Sequence, residues 1–253
     1  NILLAWPHHN SLPSALEAAA ALRAEGKAAE VVTLEGPGAE PPLEKVGRLV
    51  NMFKLLEKPP RLALVGRPNP WLVASEVVGK PDVEVDEEAA YRLSLSMEAG
   101  QEAARWGGGE ALGRIVAYGK ALFKIATERG ADGVTLGCWC FDFKKVGERG
   151  WTPCMSLALL NDWGLTATCE GDLRALYSAV VLSKIAQRPA WLGNVNKVEK
   201  ETLLLTHDGL PPSMASRCVV KPRLATGAPA ALMCEVETGR PVTLLRVSGV
   251  LCL

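Results

Sequence analysis

Leu165-Thr-Ala-Thr-Cys169-Glu-Gly-Asp172-Leu-Arg-Ala-Leu176-Tyr-Ser-Ala-Val180-Val-Leu-Ser-Lys-Ile185-Ala186 is the stretch that decides the fold. It opens on a short apolar run, passes through a turn containing Gly171, and continues into a segment with Leu173, Leu176, Tyr177, Val180, Val181 and Ile185 on one face at helical spacing. That is a strand, a turn and a helix. In a parallel α/β sheet such junctions face the crevice outside the carboxyl ends of the strands, where ligands bind. This junction carries two carboxylates, Glu170 and Asp172.

The same texture extends towards the N-terminus. Ile2–Trp6, Ala29–Leu34, Leu62–Gly66 and Gly133–Cys138 are short, continuous apolar runs alternating with helical patterns. Such runs predict parallel strands buried on both faces. Helices are expected over Ser14–Ala24, from about Pro42 to Leu56, Trp71–Val78, Glu87–Trp106, Glu110–Arg129 and Met155–Leu160. Val83–Val85 reads as an edge strand, and Gly36-Pro37-Gly38 to Pro42 as a break. After Pro189 the texture changes. Trp191–Gly193, Thr202–Thr206, Cys218–Lys221, Ala230–Val236 and Pro241–Val247 read as short strands between turn residues, which predicts a small antiparallel β-barrel or sheet with no long helix. The division expected is an N-terminal α/β domain over 1–58, a central α/β domain over 59–188 and a C-terminal antiparallel domain over 189–253.

Composition narrows the function classes. Among 253 residues, 28 Lys and Arg balance 28 Asp and Glu, with no basic block. Neither nucleic acid nor an anionic membrane is the expected partner. Mean hydropathy is +0.11, and no apolar run approaches the ~20 residues of a membrane span. No signal peptide is read at Asn1, and the missing initiator Met suggests a trimmed start. Seven scattered cysteines, an odd number, argue against a complete disulfide framework and for a reducing cytoplasm. Scarce Asn and Gln suggest a thermophile, a setting where intracellular disulfides do occur.

Several residue types could carry chemistry. Glu170 and Asp172 are candidate metal-ligating or acid–base carboxylates, although Asp172 in a first helical turn is equally suited to capping. Gly171 between them permits close backbone approach. His207 ends the apolar run Leu203–Thr206 and is followed by Asp208-Gly209; two carboxylates and an imidazole are a ligand set for a hard divalent ion. Asp142 lies just past the Gly133–Cys138 strand, where a catalytic carboxylate would sit; an ordinary loop aspartate is its plain alternative. Cys138, Cys140, Cys154 and Cys169 read as buried thiols rather than a zinc site, because the spacing fits no standard Cys-x-x-Cys pair. His8, His9 and Asn10 follow the first strand and could bind hydroxyls or an anion, or form a solvated loop. Arg67, Asn69 and Trp71 hold the equivalent position after Leu62–Gly66, in a loop that is no Gly-x-Gly-x-x-Gly.

In order, Leu64-Val-Gly-Arg-Pro-Asn-Pro-Trp-Leu-Val-Ala-Ser75, Cys140-Phe-Asp-Phe143, Pro153-Cys-Met-Ser-Leu-Ala-Leu-Leu-Asn161, Ala167-Thr-Cys-Glu-Gly-Asp172, Leu192-Gly-Asn194, Leu205-Thr-His207 and Gly239-Arg-Pro-Val-Thr-Leu244 resemble segments of the L-fucose isomerase-like superfamily, especially its short members. The resemblance implies open Rossmann-like α/β domains followed by an antiparallel barrel, a homo-oligomer, and aldose–ketose isomerisation of a sugar through an ene-diol. It also implies a Mn²⁺-type ion held by Asp172, His207 and Glu170. Glu170 or Asp142 would move the proton, and His8, His9, Asn10, Arg67, Asn69, Trp71, Trp139 and Asn194 would contact substrate. One departure stands out: where those isomerases have a glutamate just after the strand, this chain has Phe141, with Asp142 beside it. Two other readings follow, a catalytically altered member that binds carbohydrate or regulates, and a different metal-dependent enzyme, such as a lyase or hydrolase, on polyhydroxy substrates.

Overall fold

The structure is a computed structural model that describes residues 1–36, 39–72 and 79–247. The chain forms two compact units: residues 1–59 with 184–188, and residues 60–183 with 189–253.

In the first unit, β1 (Ile2–Ala5) pairs in parallel with β2 (Glu30–Thr33), Leu3 opposite Val31. The helix α1 (Ser11–Ala24) makes the crossover, burying Ala15 and Ala19, and α2 (Leu43–Glu57) follows. Ser11 lies inside α1, and its hydroxyl accepts a hydrogen bond from the Trp6 backbone amide.

The second unit is built on a four-stranded sheet. Its strands are β3 (Leu62–Val65), β4 (Val83–Val85), β5 (Gly133–Leu136) and β6 (Thr166–Cys169). The order is β4-β3-β5-β6 and all pairs are parallel, with β4 at the edge as its three-residue length suggests. Every residue of β3, β5 and β6 is buried. Strand alternation divides them between two faces. Ala63, Val65, Val134 and Leu136 meet Ile115, Tyr118 and Leu122 of α5 (Glu110–Glu128) together with Met155 and Leu159 of α7 (Cys154–Asp162). Leu62 and Leu64 turn the other way, onto Leu173, Leu176 and Val180 of α8 (Leu173–Ala186). The threonines in these strands find internal partners where they can: Thr135 donates to the Cys169 carbonyl, and the Thr166 and Ser183 hydroxyls pair at 2.7 Å.

The helix expected over Glu87–Trp106 is two pieces, α3 (Glu87–Ser94) and α4 (Gln101–Arg105). Ser94 and Ser96 donate to the Tyr91 and Leu93 carbonyls, and Gly100 takes φ +65, so the helical ladder stops. A 3₁₀ turn (Trp139–Phe141) and α6 (Phe143–Arg149) follow β5. The helix expected at Trp71–Val78 falls largely outside the described residues, as does part of the Gly36–Gly38 break.

Beyond Pro189 the described residues form two antiparallel ribbons, β7 (Asn194–Val198) with β8 (Leu203–Thr206) and β9 (Arg217–Lys221) with β10 (Ala231–Glu235). The only helical element described here is a 3₁₀ turn at Pro212–Met214. Cys218 and Cys234 sit directly opposite each other in the second ribbon and form a disulfide. Two expected strands are irregular. Trp191–Gly193 precedes β7 rather than joining it. The 241–247 segment makes no ladder: Pro241 has no amide to donate, while the Arg246 side chain and the Val247 amide bond to Asp172 and Ser178 instead. No described helix is long and apolar enough to cross a membrane.

Candidate functional site

Three loops leaving β3, β5 and β6 are pressed together at the carboxyl edge of the sheet. Glu170 and Gly171 follow β6 in successive left-handed conformations, φ +70 and +69. A Cβ on Gly171 would lie 2.6 Å from the Pro68 Cα, and one on Gly137 would lie 2.0 Å from the Arg67 carbonyl oxygen. Only glycine admits that approach. The Glu170 carbonyl accepts the Asn69 amide, and the Asn69 side chain clamps Cys138, donating to its carbonyl and accepting its amide. Asn69 is thus buried and structural in this contact.

The turn aims the Glu170 side chain at a cavity of about 320 Å³. Trp71 Nε1 donates to Oε2 and Asn194 Nδ2 to Oε1, both at 2.9 Å. His207 Nε2 stands 3.6 Å from Oε1. The β7–β8 ribbon brings these last two residues together, because Asn194 pairs with Thr206 and His207 comes next. His207 Nδ1 donates to the Asp208 carbonyl, which fixes the ring and leaves Nε2 facing the carboxylate. A proton on that nitrogen, or a cation between it and the carboxylate, would make this approach favourable. The neighbouring His207 imidazole holds the Glu170 carboxyl at about 2, against the pull of burial and with help from Trp71 and Asn194. Burial alone would depress the His207 imidazole; the nearby Glu170 carboxylate and the bond to the Asp208 carbonyl outweigh that and raise it above its usual value.

Phe141 and the sulfurs of Cys138, Cys140, Cys154 and Cys169 line the same cavity. The Cys140 and Cys154 sulfurs are 3.2 Å apart. Hydrogen bonds from the other three thiols lower Cys138 strongly and correspondingly raise Cys140 and Cys169, while Cys154 is pushed up to about 12. Asp208 and Arg223 complete the wall, joined by a 2.8 Å bond from Arg223 Nε, with the guanidinium over the Phe141 ring. Sequence reasoning missed Arg223 entirely, since Lys221-Pro-Arg223 carries no local signal. Asp208 had one, its place directly after His207.

The other expected site residues of the second unit lie elsewhere within it. Asp172 is 4% exposed, caps α8 by accepting the Ala175 amide, and ion-pairs with Arg246 at 2.8 Å. Asp142 caps α6 through the Lys145 amide and, with Arg67 and Asn69, lines a second cavity of about 680 Å³ over the ends of β3, β4 and β5. Trp139 is 2% exposed, packed against Tyr118 and Trp151 beneath the Arg149 guanidinium. His8, His9 and Asn10 belong to the turn after β1 in the first unit, where both imidazoles lie edge-on to Trp6.

Among the described residues no three His, Cys, Asp or Glu side chains form a metal-holding group. Of the expected trio, Glu170 and His207 come together and Asp172 does not join them. The two that meet are compatible donors: an imidazole whose second nitrogen is tied to a carbonyl is the usual arrangement of a ligating histidine.

No protein-family model matches this chain, and no curated protein matches it significantly.

Proposed function

We propose that the Glu170–His207 cavity binds a small polyhydroxy compound and that the chain is an aldose–ketose isomerase acting through an ene-diol. The observation that carries this reading is the 3.6 Å approach of His207 Nε2 to Glu170 Oε1 in a polar cavity at the carboxyl end of the sheet. Isomerisation needs a proton moved between two carbons and between two oxygens, which is general acid–base work. The low Glu170 value keeps the carboxylate ionised and free to take the proton from one carbon and return it to the next. The raised His207 value suits an imidazolium that donates to a carbonyl oxygen and takes the proton back. Asn194 and Trp71 hold the carboxylate in place. A divalent ion would be held by Glu170 and His207, where it would polarise the carbonyl as a Lewis acid.

A second reading, a member that binds sugar without turning it over, is favoured by one feature. The position after β5 presents Phe141 to the cavity, and the neighbouring Asp142 carboxylate caps α6. Deuterium exchange separates the two. Five- and six-carbon aldoses and ketoses are incubated in D₂O with and without Mn²⁺ and followed by NMR. Isomerase action predicts interconversion with deuterium entering beside the carbonyl, reduced about 100-fold or more in Glu170→Gln and His207→Asn. Sugar binding without any exchange would leave the binding reading.

A further inference from the structure

We propose that Cys140 and Cys154 are a redox-active dithiol that closes to a disulfide across the wall of the 320 Å³ cavity. This modification site stands whether or not the cavity isomerises sugars.

Three observations carry it. The two sulfurs already lie 3.2 Å apart, and a disulfide requires about 2.05 Å, so closure needs movement on the order of one ångström. The two residues sit on separate short elements: Cys140 within the Trp139–Phe141 turn, Cys154 at the first position of α7. A turn of that length can shift without breaking the sheet. Finally, Cys140 and Cys154 are 0% and 4% exposed, but both residues reach the cavity wall. Both line the cavity with Cys138, Asp208 and Arg223. The Arg223 side chain is 10% exposed, and its Nη1 has no hydrogen-bond partner among the described residues, which leaves a buried cationic donor beside the thiols. A guanidinium so placed opposes the neighbouring thiols and the burial that push Cys154 up to about 12, and so supplies the thiolate that exchange requires.

The reaction is thiol–disulfide exchange with a low-molecular-weight dialkyl disulfide. Cys154 sulfur attacks one sulfur of the reagent, forming a mixed disulfide and expelling one alkyl thiolate, which takes the proton Cys154 loses. Cys140 sulfur then attacks the Cys154 sulfur, forming the internal disulfide and releasing the second alkyl thiol with the proton from Cys140. Two protein thiols are oxidised and one reagent disulfide is reduced to two thiols. The product ties the turn carrying Phe141 to the start of α7 and so fixes that wall of the cavity.

The test uses the whole wild-type chain. Protein is incubated with hydroxyethyl disulfide, quenched with N-ethylmaleimide, digested without reduction and mapped by mass spectrometry. The expected result is a Cys140–Cys154 crosslink, with both residues lost to alkylation and recovered after dithiothreitol. In Cys140→Ser the reaction should stop at a mixed disulfide on Cys154. Three results would overturn the proposal: both residues still fully alkylatable after incubation, a crosslink joining other members of the cluster instead, or a stoichiometric soft metal in the purified protein shielding the four thiols. The wild-type map decides the matter even if the serine variant fails to fold.

Discussion

His207 Nε2 lies 3.6 Å from Glu170 Oε1, and each side chain is only about an eighth exposed, at 13% and 12%. The pair links the turn after β6 to the end of the β7–β8 ribbon, so its protonation bears on stability. Glu170 is lowered to about 2 from 4.5, so its contribution is present above pH 4.5 and lost as pH falls through about 2. His207 is raised from 6.5, so its contribution is complete below pH 6.5 and lost as pH rises through the higher folded value. Thermal melts of wild type and Glu170→Gln should therefore differ most between pH 4.5 and 6.5 and converge on either side. NMR titration of His207 should show a lower value in Glu170→Gln. A melting difference that stays constant with pH would refute the pairing.

Asp172 offers a sharper contrast. Its carboxylate caps α8 and meets a 45% exposed Arg246. Asp172→Ala should cost about 1–2 kcal/mol in urea unfolding. Asp172→Asn keeps a capping oxygen and loses mainly the ion pair, so about 0.5 kcal/mol is expected. Titration calorimetry should show the same Mn²⁺ behaviour for wild type and Asp172→Asn. Selective loss of metal binding in that variant would restore Asp172 as a ligand.

The crossing of the loops makes a steric prediction. Gly171→Ala must place a methyl 2.6 Å from the Pro68 Cα while holding φ +69. We expect a loss of about 2–4 kcal/mol, combining overpacking with left-handed strain. Gly150 is the control: its φ is +73 but no atom lies within 4 Å of the added carbon. Gly150→Ala should cost only about 1–2 kcal/mol. Equal losses in urea unfolding would mean that the Pro68 contact contributes nothing.

Cys218 and Cys234 are 16 residues apart and join the β9–β10 ribbon. Opening a loop of that length typically costs about 3 kcal/mol. Cys218→Ser, or reduction of the wild type, should lower the melting temperature and expose the ribbon to proteolysis before the parallel sheet. Cleavage within β3, β5 or β6 appearing first would contradict this order.

The sequence alone determined the sheet and the turn. Leu62–Val65, Gly133–Leu136 and Thr166–Cys169 were legible because a strand buried on both faces carries a nearly continuous run of apolar and small residues, threonine included and charges excluded. The helix over Leu173–Ala186 was legible because one face repeats at helical spacing. Glu170 and His207 stood out as polar groups at the ends of apolar runs. Which groups meet was decided by tertiary structure. The Asn194–Thr206 register carries His207 to Glu170, and Asp172, two residues on, is used by its own helix and by Arg246. The helix break at Gly100, the packing of Trp139 in the core and the convergence of four cysteines with Arg223 left no periodic mark. Hydrophobic periodicity reports which face of one segment is covered. It carries no information about which distant side chain covers it, because that depends on the register of a ribbon and the path of three loops.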